Sequence, residues 1–241
     1  MSAGFRWRQE VGDGLLAAFT GTDEGNLALH VGDDREAVLA RRRNLEQDMG
    51  VPPGSLRFMD QVHSALVADV SRDDPPGPAP SVDALVSADG GVPLAVMVAD
   101  CVPVLLAGKR AGGSVTAAAH AGRAGLLDGV LPATVQRMQA HGAQALHAWI
   151  GPAICGHCYE VPEQMQAGAA AALPGIPELI STTRAGTPGL DLPAAAAAQL
   201  TALGVEVHRV GPCTLETEGL YSHRRSNRSG RFAGLIWRPG P

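Results

Sequence analysis

The sequence predicts an α/β (α+β) fold in which a mixed β-sheet is covered by helices. Short apolar runs bounded by Gly, Pro or Asp recur through the middle of the chain, as is typical of strands buried on both faces. Helical segments stand between and after these runs without the strict alternation of a doubly wound sheet. Because 45% of the 241 residues are apolar, the chain can bury a large core, and we expect one domain over residues 1–241.

The first third of the chain predicts strands, one helix and a loop. Strands are expected at "GLLAAFTG" and "NLALHVG", and two short strands around a turn are expected within "SLRFMDQVHSALVADV". The helix is expected over "DDREAVLARRRNLEQDMG", which has an acidic start and a closing Gly50. The proline-rich stretch "SRDDPPGPAP" at 71–80 excludes helix and central strand alike, so it predicts a surface loop.

The rest of the chain predicts most of the sheet and its helical cover. Strands are expected at "VDALVS", "PLAVMVAD", "VPVLLAG", "SVTAAAH", "LHAWIG", "VEVHRV" and "RFAGLIWR". The segment "AGLLDGVLPATVQRMQAHG" predicts an amphipathic helix that Pro132 should kink or start anew. Two alanine-rich helices are expected at "PEQMQAGAAAAL" and "DLPAAAAAQLTALG", the second with Asp191 as N-cap and Gly204 as C′ residue.

Charge and motif content exclude several classes of function. A net charge of −5 and an isoelectric point near 5.9 argue against a nucleic-acid partner, although arginines cluster in "SHRRSNRSGR". The first residues lack the apolar core of a signal peptide, and no window reaches the roughly 18 apolar residues that span a bilayer. We therefore expect a cytoplasmic protein without a membrane partner. No G-x-G-x-x-G joins a strand to a helix, and no P-loop motif exists, so nucleotide-binding folds of those types are not indicated.

Three side chains predict a metal centre. His63, Cys101 and His120 each fall at a strand end or turn beside small or polar residues. Two imidazoles and one thiolate leave the fourth position of a tetrahedral zinc open for water or substrate, which is the arrangement of a catalytic zinc. Their spacing matches no short metal-binding motif, so three ordinary core residues are the alternative.

Asp100 precedes Cys101 in an otherwise apolar run, which raises the question of what balances its carboxylate. A metal-bound imidazole commonly donates its second N–H to a carboxylate, and Asp100 is a candidate for that role. Adjacent residues of a strand point to opposite faces, so both side chains reach one site only where the strand ends or bulges, which Pro103 favours. The alternative is that Asp100 caps a local turn.

The motif "CGHC" at 155–158 allows several interpretations. A C-x-x-C pair can mark a redox site, but no helix signal begins at the first cysteine, so disulfide exchange is not favoured. A loop near the active site that offers backbone N–H groups, together with Gly151, is the preferred interpretation. A second zinc bound by Cys155, His157 and Cys158 would be geometrically cramped.

Several segments together resemble one family over nearly the whole chain. They are "QVHS", "SVDALVS", "VADCVPVLL", "AAAHAG", "IGPAICGHCYEV" and "CTLETEGLYSHRRSNRSGRFAGLIW". The chain resembles the multicopper polyphenol oxidase family, also called the laccase-domain or YfiH-like family. The resemblance implies one zinc held by His63, Cys101 and His120, and a fold related to toxin-type cysteine deamidases. It also implies phosphorolysis of adenosine, inosine and methylthioadenosine, and deamination of adenosine.

The resemblance also directs attention to substrate contacts. Arg42 stands at the arginine position of the family's Asn-Arg helix segment, although a solvated helix face is its alternative role. Arg225 and Ser222 are further candidate contacts. After His120 the family typically reads His-Ala-Gly-Trp-Arg-Gly, whereas "HAGRAG" stands here. This departure affects the expected affinity for phosphate and leaves the zinc ligands in place.

The expected function is that of a zinc-dependent purine nucleoside enzyme whose partners are a nucleoside and phosphate. One alternative is a metal-free hydrolase with Cys101 as nucleophile and His120 as base, or a related enzyme that edits cell-wall precursors. Another is a copper-dependent oxidase of phenols, but several coppers need many histidines and the chain has eight, scattered ones. A non-catalytic module with a structural zinc would need a fourth protein ligand. The sequence does not indicate the oligomeric state.

Overall fold

The computed structural model describes residues 4–75 and 77–240. Its strands are β1 (Trp7–Gly12), β2 (Leu15–Phe19), β3 (Val67–Val70), β4 (Ala84–Ser87), β5 (Leu94–Val98), β6 (Val102–Arg110), β7 (Gly113–Ala121), β8 (Gln144–Ile150), β9 (Ile180–Thr182), β10 (Pro188–Leu190), β11 (Glu206–Arg209) and β12 (Phe232–Trp237). Its α-helices are α1 (Arg35–Met49), α2 (Arg123–Leu127), α3 (Val130–Ala140), α4 (Glu163–Ala172) and α5 (Leu192–Ala202).

Two sheets form the centre of the molecule. The smaller sheet is antiparallel, with strand order β1-β2-β12-β5. The larger sheet has the order β11-β8-β6-β7-β4-β3, and it is mixed because β3 and β11 pair in parallel with their neighbours while the middle strands are antiparallel. Strands β9 and β10 form a separate hairpin. The predicted α+β fold with a mixed sheet covered by helices is confirmed.

Three apolar clusters define four layers. One cluster fills the space between the two sheets, a second joins the larger sheet to α2, α3 and α5, and a third joins the smaller sheet to α1. Along β6, Leu105 packs between the sheets, whereas Val104 and Leu106 pack on the helical side. This alternation across one strand explains why the central strands are continuously apolar in sequence.

Most predicted elements form, and the caps explain their limits. Asp34 caps α1 by accepting from the N–H of Ala37, and Gly50 ends it in the left-handed region. The helix predicted across Pro132 is two helices, α2 and α3, separated at residues 128–129. Pro132 occupies the first turn of α3, where its missing N–H costs nothing.

Other segments differ from the prediction. No strand forms at "NLALHVG", because the Asn26 side chain bonds both backbone groups of Ala28 and accepts from the N–H of Arg231, which replaces strand pairing with a side-chain-held loop. Of the two short strands expected within "SLRFMDQVHSALVADV", only β3 forms. Three strands were not predicted: β1, which is mostly exposed, and the strands of the β9–β10 hairpin, which have three residues each. Of the helices in the part of the chain described, none has the length and apolar character that crossing a bilayer requires.

Candidate functional site

The three predicted metal-binding side chains meet at one end of the larger sheet. One donor atom from each of His63, Cys101 and His120 lies within 4.8 Å of the others. The His63 Nε2 is 3.7 Å from the Cys101 Sγ, and the two imidazole rings stand nearly perpendicular, with centroids 4.8 Å apart. Residues far apart in sequence thus present two nitrogens and one sulfur to a common point.

The backbone explains this convergence. Pro103 on β6 lies opposite His120 on β7, so Cys101, which directly precedes β6, is brought to the same end of the strand pair. His63 arrives from the loop before β3 with a left-handed backbone, φ 62°. This conformation is uncommon for a residue other than glycine and clusters at functional sites.

Asp83 is the carboxylate that orients the site. Its fully buried side chain lies 2.8 Å from the His120 Nδ1. It also accepts from the backbone N–H groups of His63 and Ser64, at 3.0 and 2.5 Å, and from the Ser64 hydroxyl. The Asp83 carboxylate therefore fixes both the loop that carries His63 and, at Nδ1, the ring of His120. The Nε2 of His120 is left as the ring nitrogen available to a metal.

Asp100, the residue expected to hold an imidazole, has different partners. Its carboxylate accepts from the Thr214 hydroxyl and from the Arg224 backbone N–H, both at 2.6 Å. Its carbonyl accepts from the N–H of Ile154, and its φ is 88°. Asp100 joins the strand end to two distant segments, rather than capping a turn of its own. Its neighbour Cys101 lies beside His63 and His120 because the extended chain is interrupted between β5 and β6, as Pro103 indicated.

The donor set fits a zinc ion. Tetrahedral zinc with Zn–S near 2.3 Å and Zn–N near 2.0–2.1 Å separates sulfur from nitrogen by about 3.6 Å. The distance of 3.7 Å between Cys101 and His63 is close to this value. The carboxylate on the far side of His120 is the outer partner that zinc-bound histidines commonly have. Two imidazoles and a thiolate are also donors that zinc and copper prefer over magnesium or calcium.

The charges of these groups stabilise one another. Burial by itself would raise the pKa of the Cys101 thiol, but the charge of His120, with hydrogen bonds from His120 and His63, lowers it to about 6. Burial would lower the pKa of His120, but Cys101 and Asp83 raise it to about 9. For Asp83, burial is likewise opposed by hydrogen bonds from His120 and Ser64, which bring its pKa to about 2. Without a metal, a thiolate beside an imidazolium is therefore the favoured state near pH 7.

The cluster lies in a cavity of about 630 Å³. Polar and charged side chains that line it, besides the cluster, are His30, Gln61, Asp100, Arg123, Tyr159, His223, Arg224 and Arg231. Gly122 allows the close approach of the cluster, because a Cβ at this position would lie 2.5 Å from the His63 ring and 3.3 Å from the Cys101 Sγ. The cavity has the size of a small-molecule site, in which a few polar groups converge on an otherwise apolar surface.

The predicted substrate contacts lie around this cavity and not in its described lining. Arg42 on α1 donates to the Leu27 carbonyl and lies over the Phe58 ring, with its Cζ 3.8 Å from the ring centroid. Burial lowers the pKa of Arg42 to about 10. Arg225 donates to the backbone carbonyls of residues 214, 215, 217 and 220, and its N–H donates to the buried Ser222 hydroxyl.

Those bonds give Ser222 and Arg225 a supporting position. These bonds hold the fold of the segment that contains Arg224, and the Arg224 side chain lines the cavity. Arg224 donates to the Glu160 carbonyl at 3.1 Å, and its guanidinium lies 5.1 Å from the Tyr159 ring centroid. The sequence signal was the arginine cluster itself, but only tertiary structure selects which of its members faces the cavity. Arg123, which stands in the family's tryptophan position, also lines the cavity, as does Ala124.

The fold and the site together define a protein of mixed α+β architecture with a candidate metal centre in its cavity. The chain belongs to the multi-copper polyphenol oxidoreductase laccase family, whose sequence model matches residues 16–239. A purine nucleoside phosphorylase of Streptomyces coelicolor is 47% identical over 218 residues, covering 89% of this chain and 88% of that protein. A purine nucleoside phosphorylase of Corynebacterium glutamicum is 43% identical, with coverages of 89% and 87%.

A solved structure supports the same assignment. The Neisseria meningitidis protein NMB0706, described as a member of family DUF152, superposes with a TM-score of 0.85. It is 32% identical in sequence, and the match covers 99% of this chain and all of that one. The fold shared with this protein therefore extends across both sheets and their helical layers.

Proposed function

We propose that this protein is a zinc-dependent purine nucleoside phosphorylase that cleaves adenosine, inosine and methylthioadenosine. The observation that carries the proposal is that one cavity contains both the His63–Cys101–His120 cluster and several arginines. Such a cavity combines a Lewis acid site with groups suited to binding a phosphate dianion. The relatives named purine nucleoside phosphorylase provide the substrate class.

The reaction requires an anion to be aligned with the glycosidic bond. A phosphate oxygen forms a bond to the anomeric carbon of the ribose while the bond to the purine nitrogen breaks, and the departing base takes up a proton. Arg123, Arg224 and Arg231 line the cavity and are the side chains assigned to hold phosphate. Zinc bound by the cluster would supply Lewis acidity toward an oxygen or nitrogen of the substrates.

The rest of the chain supports this alignment. Asp83 keeps His120 and the His63 loop in place, while Asp100 accepts from the backbone of Arg224 and fixes the segment that carries it. Asp83 thus supports the donor cluster, and Asp100 supports the arginine wall, which Arg224 and Arg231 form in the segment before β12. Zinc is assigned in preference to copper because the cluster is one compact site with a single thiolate, whereas multicopper chemistry needs more ligands.

A phosphate titration tests the proposal. Arg224→Gln should raise the phosphate concentration for half-maximal base release by about 10- to 100-fold, since a hydrogen bond to a charged group contributes about 1.5–3 kcal/mol. Arg228→Gln is the matched control, because Arg228 is exposed in the same segment and does not line the cavity. Equal effects of the two substitutions would contradict the assignment of Arg224.

Chromatography of the products distinguishes the reactions. From adenosine and phosphate, phosphorolysis releases adenine and deamination yields inosine. Adenine release that depends on phosphate is the expected result for the wild-type protein. If no base were released at any phosphate concentration, the proposed phosphorylase activity would be overturned. Inosine as the sole product would replace it with the deamination that the family resemblance implies.

The alternative of a cysteine hydrolase makes a different prediction for Cys101. Because its pKa is near 6, Cys101 of the metal-free protein should be alkylated by iodoacetamide slowly below pH 6 and at a constant rate above about pH 7. Saturating zinc should protect it if it is a ligand. Peptide mass spectrometry would follow the alkylation of Cys101 separately from that of the other three cysteines. Undiminished alkylation in the presence of zinc would favour the nucleophile over the ligand.

A further inference from the structure

A second group of donor atoms lies near the surface of the molecule, apart from the cavity cluster. Cys155, Cys158, Cys213 and Glu216 each offer one atom, and these four atoms lie within 4.8 Å of one another. All three cysteines are free thiols and are partly buried, and Glu216 is exposed. The motif "CGHC" thus acquires a third cysteine from a segment 55 or more residues away, between β11 and β12.

The backbone holds the three thiols in place independently of any metal. Residues 155–158 form a tight turn, in which the N–H groups of Cys158 and Tyr159 both donate to the Cys155 carbonyl at 2.9 Å. Cys213 is aligned by a parallel bridge to Ala153. The backbone N–H of Cys155 donates to the Cys213 Sγ at 3.5 Å, a bond that strengthens when the sulfur is a thiolate.

We propose that Cys155, Cys158, Cys213 and Glu216 bind a structural zinc ion. Three thiolates and a carboxylate close a tetrahedral shell with protein ligands alone, which distinguishes this site from the open cavity cluster. Tetrahedral Zn–S bonds of 2.3 Å place sulfurs about 3.8 Å apart, which the spacing of these atoms accommodates. Arg184 pairs with Glu216 and lies 4.0 Å from the Cys158 Sγ, so a cation offsets the excess negative charge of the filled site.

His157, the ligand considered from the sequence, is not part of this group. Its ring is exposed, and its Nδ1 lies 3.1 Å from the Thr182 carbonyl. A redox disulfide would explain two of the cysteines and leave the third thiol, the N–H bond to it and the adjacent carboxylate without a role. The clustering of all four donors is what favours a metal.

A zinc ion here would stabilise the wall of the neighbouring cavity. The first segment continues into Tyr159 and follows Ile154, both of which line the cavity. The second segment includes Thr214, whose hydroxyl bonds Asp100 and whose carbonyl accepts from Arg225. The site therefore crosslinks two loops that hold the arginine wall, and its role is to stabilise that wall rather than to take part in the reaction.

Cobalt substitution and zinc content test this inference under reducing conditions. The metal-free protein is titrated with Co²⁺, and the charge-transfer absorption, whose intensity increases with the number of thiolates bound, is compared between variants. Cys101→Ser should keep one equivalent with the intensity of three thiolates. Cys213→Ser should lose that strong absorption and one equivalent of zinc, while His157→Ala should retain both and serves as the control within the turn. Cys213→Ser should also lower the Tm, with turnover within a few-fold of wild type.

The variants separate this inference from the proposed function. Metal retained in Cys101→Ser and lost in Cys213→Ser supports the second site, even if the cavity cluster binds nothing. A single equivalent that is lost in Cys101→Ser and unaffected by Cys213→Ser would overturn it. A disulfide between two of these three cysteines that persists under the reducing conditions, detected by differential alkylation, would also overturn it. Should Cys213→Ser misfold, the folded wild-type protein still decides the question. Its cobalt absorption, followed while a chelator competes for the metal, would exclude the site if it showed the intensity of one bound thiolate alone.

Discussion

Cys101→Ser is expected to lose the metal of the cavity cluster and the catalytic activity together. A serine hydroxyl is a far poorer ligand than a thiolate at neutral pH, and two imidazoles alone hold zinc weakly. The loss in affinity should exceed the roughly 10- to 100-fold that follows removal of an outer partner of a metal ligand. Elemental analysis of zinc and a phosphorolysis assay on the same sample would measure both effects.

Two further variants make this result interpretable. His63→Ala removes a second donor from an exposed position on a loop, so it should reproduce the loss without disturbing the core. Cys158→Ser changes a thiol outside the cavity and should leave the cavity metal in place. Near-UV circular dichroism would establish that each variant is folded. Full occupancy of the cavity cluster in Cys101→Ser would remove Cys101 from the ligand set.

Asp83→Asn should weaken metal binding by about 10- to 100-fold and destabilise the fold. Asp83 accepts hydrogen bonds from His63, Ser64 and His120, and an asparagine amide would turn an N–H₂ donor toward some of these donors. Removing one partner of a buried charged pair typically costs about 3–5 kcal/mol. Urea unfolding and zinc competition with a chromophoric chelator would measure the two effects separately.

Asp69→Asn is the matched control, because Asp69 also contacts a histidine, His141, together with Arg137, but at the surface. Its loss should cost about 1 kcal/mol or less and leave metal affinity unchanged. The sign of the pH effect is also defined. Because the pKa of Asp83 is lowered from 3.8 to about 2, its stabilisation is fully present above pH 4 and is lost as the pH falls toward 2. Equal destabilisation by both substitutions would show that Asp83 is an ordinary surface-like carboxylate.

The sequence predicted those parts of the molecule that depend on local chemistry. Asp191 caps α5 and Gly50 ends α1 as expected, because capping depends on residues three or four positions apart. The convergence of His63, Cys101 and His120 was predicted because imidazole and thiolate have few roles beside small residues at strand ends. Where pairing was long-range, the prediction differed, as at "NLALHVG", in which Asn26 bonds a residue 205 positions away.

The same distinction explains the outer partners of the site. Asp83 stands second in the apolar run "VDALVS" and gives no local sign of its bond to His120. Asp100 is conspicuous beside Cys101 but bonds Thr214 and Arg224. Cys213 carries no signal in the sequence, because the two cysteines beside it lie 55 or more positions earlier in the chain. Register and strand order decide these contacts, and neither follows from periodicity alone.

The position of β12 between β2 and β5 has a consequence for the order in which the molecule is assembled during synthesis. The edge of β2 that pairs with β12 waits for residues 232–237, and such long-range pairing is slow to form. The donors His63, Cys101 and His120, by contrast, all belong to the first half of the chain, in the loop before β3, directly before β6 and on β7. Arg224 and Arg231 lie in the segment before β12, and Arg231 directly precedes that strand. On the proposed function, a growing chain would be able to bind the cavity metal before Arg224 and Arg231 are synthesised, and the phosphate site would be complete only when the last strand is inserted.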